Sequence, residues 1–204
     1  MKIADNVEML EIGIGGGAIR PTLTWDDTRL VLIDAGYPGL EDLLIQAIAD
    51  AGFSAENLTH IILTHQDMDH IGCVPDLLRL APAAKVLAHE IETPYIDGSK
   101  PHIKGLSGPG VPVNQTLTDG EVLDFCGGIE VLHTPGHTPG HICLFLQKSG
   151  TLVGGDAVNI ADGKIIGPNP GYTYDMELGQ KSLEKIKAWP IKGLISYHCG
   201  YLKM

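Results

Sequence analysis

The chain has 204 residues, 44% hydrophobic and 19% charged, a globular balance with enough length for a real core. A formal net charge of −11 with scattered Lys and Arg argues against a nucleic-acid partner, because gripping a phosphate backbone needs clustered cations. No apolar run reaches the roughly eighteen residues of a membrane span, and Met1 to Glu8 lacks the apolar centre of a signal peptide, so a cytoplasmic protein is expected.

In chain order, Val7 to Ile14 and Ala18 to Trp25 read as two strands joined by Gly15-Gly16-Gly17. No helix signal follows those glycines, which favours a hairpin turn over a phosphate cradle. Arg29 to Ile33 is a third strand, ending in Asp34-Ala35-Gly36, and Leu40 to Ala51 has helical periodicity that stops at Gly52. The apolar strand His60 to Leu63 runs into His65-Gln66-Asp67-Met68-Asp69-His70, where every His and Asp side chain can bind a metal. Imidazole and carboxylate at this density suit Zn, Fe or Mn. The bland alternative is a polar helix N-terminus in which Asp and His cap.

Gly72 to Leu80 reads as a short helix, and Lys85 to Ala88 as a strand with a helical turn after His89. Val122 to Phe125, Ile129 to Leu132, Ile142 to Leu146 and Leu152 to Val153 form a second run of strands. Between the middle two lies Thr134-Pro135-Gly136-His137-Thr138-Pro139-Gly140-His141, whose Pro-Gly turns would fix the direction of His137. Strand Leu152 to Val153 ends in Gly154-Gly155-Asp156. Asp175 to Ala188 is a helix with Lys181, Lys185 and Lys187 on a solvated face and Leu183, Ile186 and Leu178 on the apolar side. A last strand, Gly193 to Ser196, ends at Tyr197-His198. Four apolar runs thus end in ligand-type residues, as in layered proteins whose sites sit on loops at strand ends.

Two segments resist regular assignment. Asp97 to Asp119 is rich in Gly and Pro and holds His102, Lys104 and Leu106; Ala157 to Thr173 contains Pro168-Asn169-Pro170-Gly171-Tyr172. Long irregular segments in compact domains tend to be functional, so each reads either as a loop that overhangs the ligand cluster or as an ordinary surface loop. Tyr172 or Tyr174 would either donate to a developing oxyanion or sit half-buried. His60, His89 and His133 read as structural, His102 as no substrate contact, and His141 as at most a support for metal-bound residues. Cys73, Cys126, Cys143 and Cys199 show no paired spacing and read as free thiols; Cys199, beside His198, reads as packing next to that loop, with a ligand or redox role as the alternative.

Taken together, these motifs resemble the metallo-β-lactamase superfamily, whose pattern is His-x-His-x-Asp-His followed by a lone His, a bridging Asp and a final His. The matching positions are His65, Asp67, Asp69, His70, His137, Asp156 and His198, and Asp34 matches a strand-end Asp that supports the metal shell. The resemblance implies an α+β fold, the four-layer αββα sandwich, in one domain over 1–204. It also implies two divalent metal ions, Zn foremost with Fe or Mn as alternatives. His65, Asp67 and His137 would hold one ion, Asp69, His70 and His198 the other, and Asp156 would bridge. The implied activity is hydrolysis of an acyl carbonyl in a small ester, lactone or thioester, with Asp69 orienting the attacking hydroxide and shuttling its proton. Oligomeric state is left open.

Asp67 departs from the pattern, which usually has a second His there. Asp67, Asp69 and Asp156 set three negative charges against four from two divalent ions. A bridging hydroxide brings that sum to about zero, one unit below the usual pattern. A less positive centre acidifies water less and shifts preference toward harder ions. An alternative is therefore an iron-dependent redox enzyme of the superfamily, flavodiiron-like or sulfur dioxygenase-like; a phosphodiesterase is a further one, which the net charge disfavours. With six residues after His198, neither the C-terminal helical domain of glyoxalase II, nor a flavodoxin domain, nor an inserted nuclease domain is expected.

Overall fold

The computed structural model describes residues 1–105 and 108–204; the expectation for Leu106 lies outside the described residues. The layering follows from strand periodicity. Leu30–Ile33 is buried throughout, but Val31 and Ile33 face one hydrophobic cluster while Leu30 and Leu32 face another. Successive side chains point to opposite faces, so such a strand must be covered on both sides.

The first sheet has seven strands in the order Lys2–Ala4, Val7–Met9, Thr22–Trp25, Leu30–Ile33, His60–Leu63, Lys85–His89 and Gln115–Leu117. Pairing is antiparallel up to Leu30–Ile33 and parallel beyond it. The second sheet has six: Val122–Leu123, Ile129–His133, Ile142–Leu146, Thr151–Val153, Gly193–Ser196 and Gly200–Lys203. Val31, Ile33, Ile62 and Leu87 of the first sheet pack against Val131, Leu144, Val153 and Ile195 of the second. On the first sheet's outer face lie Leu44 and Ile48 of helix Glu41–Asp50 and Leu77 of helix Val74–Leu80. Leu183 and Ile186 of helix Met176–Lys187 cover the second sheet's outer face. The result is a four-layer αββα sandwich. No helix among the described residues is long and apolar enough to cross a membrane.

The structure departs from the sequence reading in detail. Each of the first two strands breaks in two: Val7–Met9 and Thr22–Trp25 stay in the large sheet, while Ile12–Ile14 and Gly17–Ile19 peel off as a separate hairpin. The break falls at Leu10-Glu11 and Arg20-Pro21, where proline offers no N–H to continue the ladder. Helix Gly72 to Leu80 is instead a turn Met68–Ile71 followed by Val74–Leu80. Both supposedly irregular segments carry structure: the edge strand Gln115–Leu117 in one, a hairpin Asn159–Ala161/Lys164–Ile166 and a helical turn Pro170–Tyr172 in the other. Strand Gly200–Lys203 was not anticipated. Leu178 is exposed rather than part of the apolar face, and Cys199 is exposed rather than packed, its thiol donating to Asn159 Oδ1 at 3.3 Å.

Candidate metal centre

All the ligand-type residues leave the C-terminal ends of strands at one end of the sandwich. Leu30–Ile33 ends at Asp34, His60–Leu63 at the His65 to His70 segment, Ile129–His133 leads to His137, Thr151–Val153 to Asp156, and Gly193–Ser196 to His198. The two sheets are tied there by the Ile142 amide donating to the Thr64 carbonyl at 3.0 Å. Asp67 occupies the position before the helical turn Met68–Ile71, yet its side chain caps no backbone N–H. It points instead into the cluster, so capping does not explain it.

Two groups form. His65, His137 and Asp156 bring one ligand atom each within 4.8 Å of one another, as do Asp69, His70 and His198. Asp156 lies between them: Oδ2 is 3.5 Å from His137 Nε2 and 3.2 Å from His198 Nε2, and Oδ1 is 3.4 Å from His70 Nε2. Asp69 Oδ2 faces His198 Nε2 at 3.3 Å and His70 Nε2 at 3.6 Å. Asp67 adjoins the first group from the side, with Oδ2 3.0 Å from His137 Nε2 and 3.5 Å from His65 Nε2.

The surrounding residues fix ring directions. Thr64 donates its hydroxyl to Asp34, leaving its oxygen to accept His65 Nδ1–H at 3.0 Å. Asp34 Oδ2 takes His70 Nδ1–H at 2.8 Å. Both imidazoles therefore turn Nε2 toward the cluster. Asp34 holds a left-handed φ of 61°, uncommon outside glycine and tolerated by Asp at such a support position. His141 donates from Nδ1 to Thr134 Oγ1 and accepts the Asp156 amide at Nε2, 3.1 Å away. Gly155 makes that approach possible, since a Cβ there would stand 2.6 Å from His141 Nε2.

Besides Thr64, two supports escaped the sequence reading. Tyr197 is buried against the His70 ring and donates its hydroxyl to the Asp69 carbonyl at 2.6 Å. Buried Glu92 accepts from the Gln66 amide and side chain and from the Gly140 amide, tying the His65–His70 loop to the His137–His141 loop. The expectation for His89 and His133 is met by a stacked pair at 4.3 Å, and His60 stacks on Phe125 at 4.7 Å.

Burial pushes the Asp69 and Asp156 carboxyls up, but His70 and the hydrogen bonds of His198 hold both below the ordinary range. Burial likewise opposes charge on His198, yet hydrogen bonds to Asp156 and Asp69 carry it up to about 9. His141 goes the other way: burial, then the neighbouring His65 and His137, keep it neutral, as its acceptor role requires. Meanwhile His65 Nε2, His70 Nε2, Asp67 Oδ1 and Asp156 Oδ1 are buried with no hydrogen-bond partner among the described residues. Buried polar atoms are rarely left so. Imidazole nitrogens and carboxylate oxygens that converge while unsatisfied fit divalent metal ions.

A cavity of about 660 Å³ opens onto the cluster, lined by Ile14, Tyr37, Met68 and the 169–174 segment, within the range of small-molecule sites. Tyr172 and Tyr174 stand at its rim, 69% and 59% exposed, not half-buried as expected. His102 is buried, and its Nε2–H is bound to the Gln66 carbonyl at 2.8 Å. Lys104, noted in sequence without a role, reaches into the cluster: Nζ forms an ion pair with Asp67, donates to His137 Nε2 at 2.9 Å and to the Tyr172 carbonyl at 3.1 Å.

Comparison with known proteins agrees with this architecture. The chain is 30% identical over 197 residues to the probable metallo-hydrolase YflN of Bacillus subtilis, covering 82% of this chain and 74% of that protein. It is 33% identical to the atrochrysone carboxyl ACP thioesterase dmxR1 of a Cryptosporiopsis species, covering 66% of this chain but only 36% of that protein. The metallo-beta-lactamase family protein TTHA1429 of Thermus thermophilus superposes with a TM-score of 0.80 at 22% identity, over 99% of this chain and 76% of its own. The family model described as the metallo-beta-lactamase superfamily matches residues 14–198, and the chain belongs to that superfamily.

Proposed function

We propose that this chain hydrolyses small esters, lactones or thioesters with two divalent metal ions, Zn the best fit to an imidazole-rich set. His65 and His137 would hold one ion with Asp67 beside them, Asp69, His70 and His198 the other, and Asp156 both. One observation carries the reading: two sets of imidazole and carboxylate groups converge on either side of Asp156 at the mouth of a cavity, with His65 Nε2, His70 Nε2, Asp67 Oδ1 and Asp156 Oδ1 buried and unsatisfied among the described residues. Bound there, the ions would supply a Lewis acid for a carbonyl and acidify water as nucleophile. Asp69 lines the same cavity and would take the water's proton and return it to the leaving group. Tyr37 lines the cavity too; burial, then Asp69 and Asp156, raise its phenol pKa, so it stays a protonated donor for a developing oxyanion. Ile14 and Met68 offer apolar surface to an acyl group. The name of the dmxR1 relative adds weight to a thioester.

The test is a panel of thioesters, lactones, β-lactams and phosphodiesters, run on chelator-stripped protein and again after reloading to measured metal content. Acyl turnover that vanishes on stripping and returns on reloading is expected. Phosphodiester cleavage alone, or an iron-dependent redox reaction without acyl turnover at full metal content, would overturn it.

A further inference from the structure

Asp67 is the residue at which this chain departs from its superfamily's pattern, and Lys104 is the residue that answers it. The Lys104 side chain comes from the segment between helix Thr93–Ile96 and strand Gln115–Leu117, crosses to the cluster and pairs with Asp67 Oδ2. Its second partner is His137 Nε2 at 2.9 Å, itself 3.5 Å from Asp156 Oδ2. The ammonium thus contacts two of the atoms that a metal ion on the His65–His137 side would use. Nothing comparable stands on the other side: among the described residues, the Asp69–His70–His198 group has no Lys or Arg ion pair. An ammonium has three donors and no lone pair, so it can only compete with a metal ion for those acceptors.

Resting on the dinuclear reading above, we propose that Lys104 is a built-in counter-cation for Asp67 that makes the His65–His137 position the weaker metal site, filled only when the ammonium is displaced. Because Lys104 also donates to the Tyr172 carbonyl, displacement would uncouple the 97–105 and 169–174 segments on either side of the cavity. Metal loading would then loosen the rim as it completes the centre.

The experiment is a Co²⁺ titration of the chelator-stripped full chain, followed by visible absorption and by equilibrium dialysis. Wild type should bind in two steps at least about tenfold apart. Lys104→Met, which keeps an unbranched chain without charge, should tighten the weaker step about tenfold or more and leave the stronger unchanged. Lys104→Arg, keeping the cation, should retain the weak step. Hydrogen exchange at 97–105 and 169–174 should rise with the second step in wild type only. Two steps indifferent to Lys104→Met, or both tightened equally, would overturn the proposal while leaving the dinuclear reading intact. A folded wild type and Lys104→Met that both bind a single ion, or none, would overturn both.

Discussion

At the scale of single residues, Asp156 decides whether the two groups behave as one centre. Its carboxylate touches His137 on one side and His70 and His198 on the other. Asp156→Ala should therefore weaken both metal-binding steps together, each by tenfold or more, measured by dialysis on stripped protein. A variant that keeps one step at full affinity would show that Asp156 serves one ion only. The residues that meet here were legible in sequence because His and Asp at the end of an apolar strand have little other reason to be there. Glu92, Thr64 and Tyr197 were not: their partners lie on other loops, and only the fold makes Glu92 accept from Gln66 and Gly140 at once. The same holds for Lys104, an ordinary lysine in a Gly-rich stretch until the fold brings it to a carboxylate.

At the scale of elements, the site depends on how closely helix Met176–Lys187 approaches the His137 loop. Gly136 has φ 138°, and a Cβ there would stand 2.3 Å from the Gly179 nitrogen and 2.4 Å from its Cα. Asp175, which caps the helix by accepting from the Leu178 amide, also donates its own amide to the Gly136 carbonyl at 2.9 Å. Gly136→Ala must therefore strain the backbone and push the helix outward. A loss of about 2 kcal/mol or more in urea unfolding is expected, from overpacking and an unfavourable φ, together with weaker metal binding where His137 contributes. An unchanged unfolding midpoint would mean that the loop and helix separate without cost. Periodicity revealed this helix, whose face is half-buried, and unbroken apolar runs revealed most core strands, which are buried on both faces. It missed Gln115–Leu117 and Gly200–Lys203, edge strands whose exposed faces and short lengths leave little pattern to read. It also merged strands across Pro21, where the hydrophobic run continues although the ladder cannot.

At the scale of the molecule, the candidate ligands are divided between the sheets. His65, Asp67, Asp69 and His70 follow a strand of the first, while His137, Asp156 and His198 follow strands of the second. Each proposed ion would therefore cross-link the two halves of the sandwich at the end where Asp34, Asp67, Asp69 and Asp156 crowd together in a chain of net charge −11. The unfolded chain has no such convergence, so metal binding should be strongly linked to folding. With free metal at a hundred times the dissociation constant, each site adds about 2.7 kcal/mol, which for a chain of this size corresponds to a rise in Tm of roughly 5–10 °C. Stripping the protein with a chelator should lower Tm by that amount per site, and reloading should restore it. In Asp156→Ala the metal-dependent rise should fall to about half or less, because both sites lose the ligand that lies between them. If dialysis showed two bound ions while Tm stayed the same with and without them, the ions would be binding the unfolded chain equally well. The convergence of the two sheets would then not be what creates the sites.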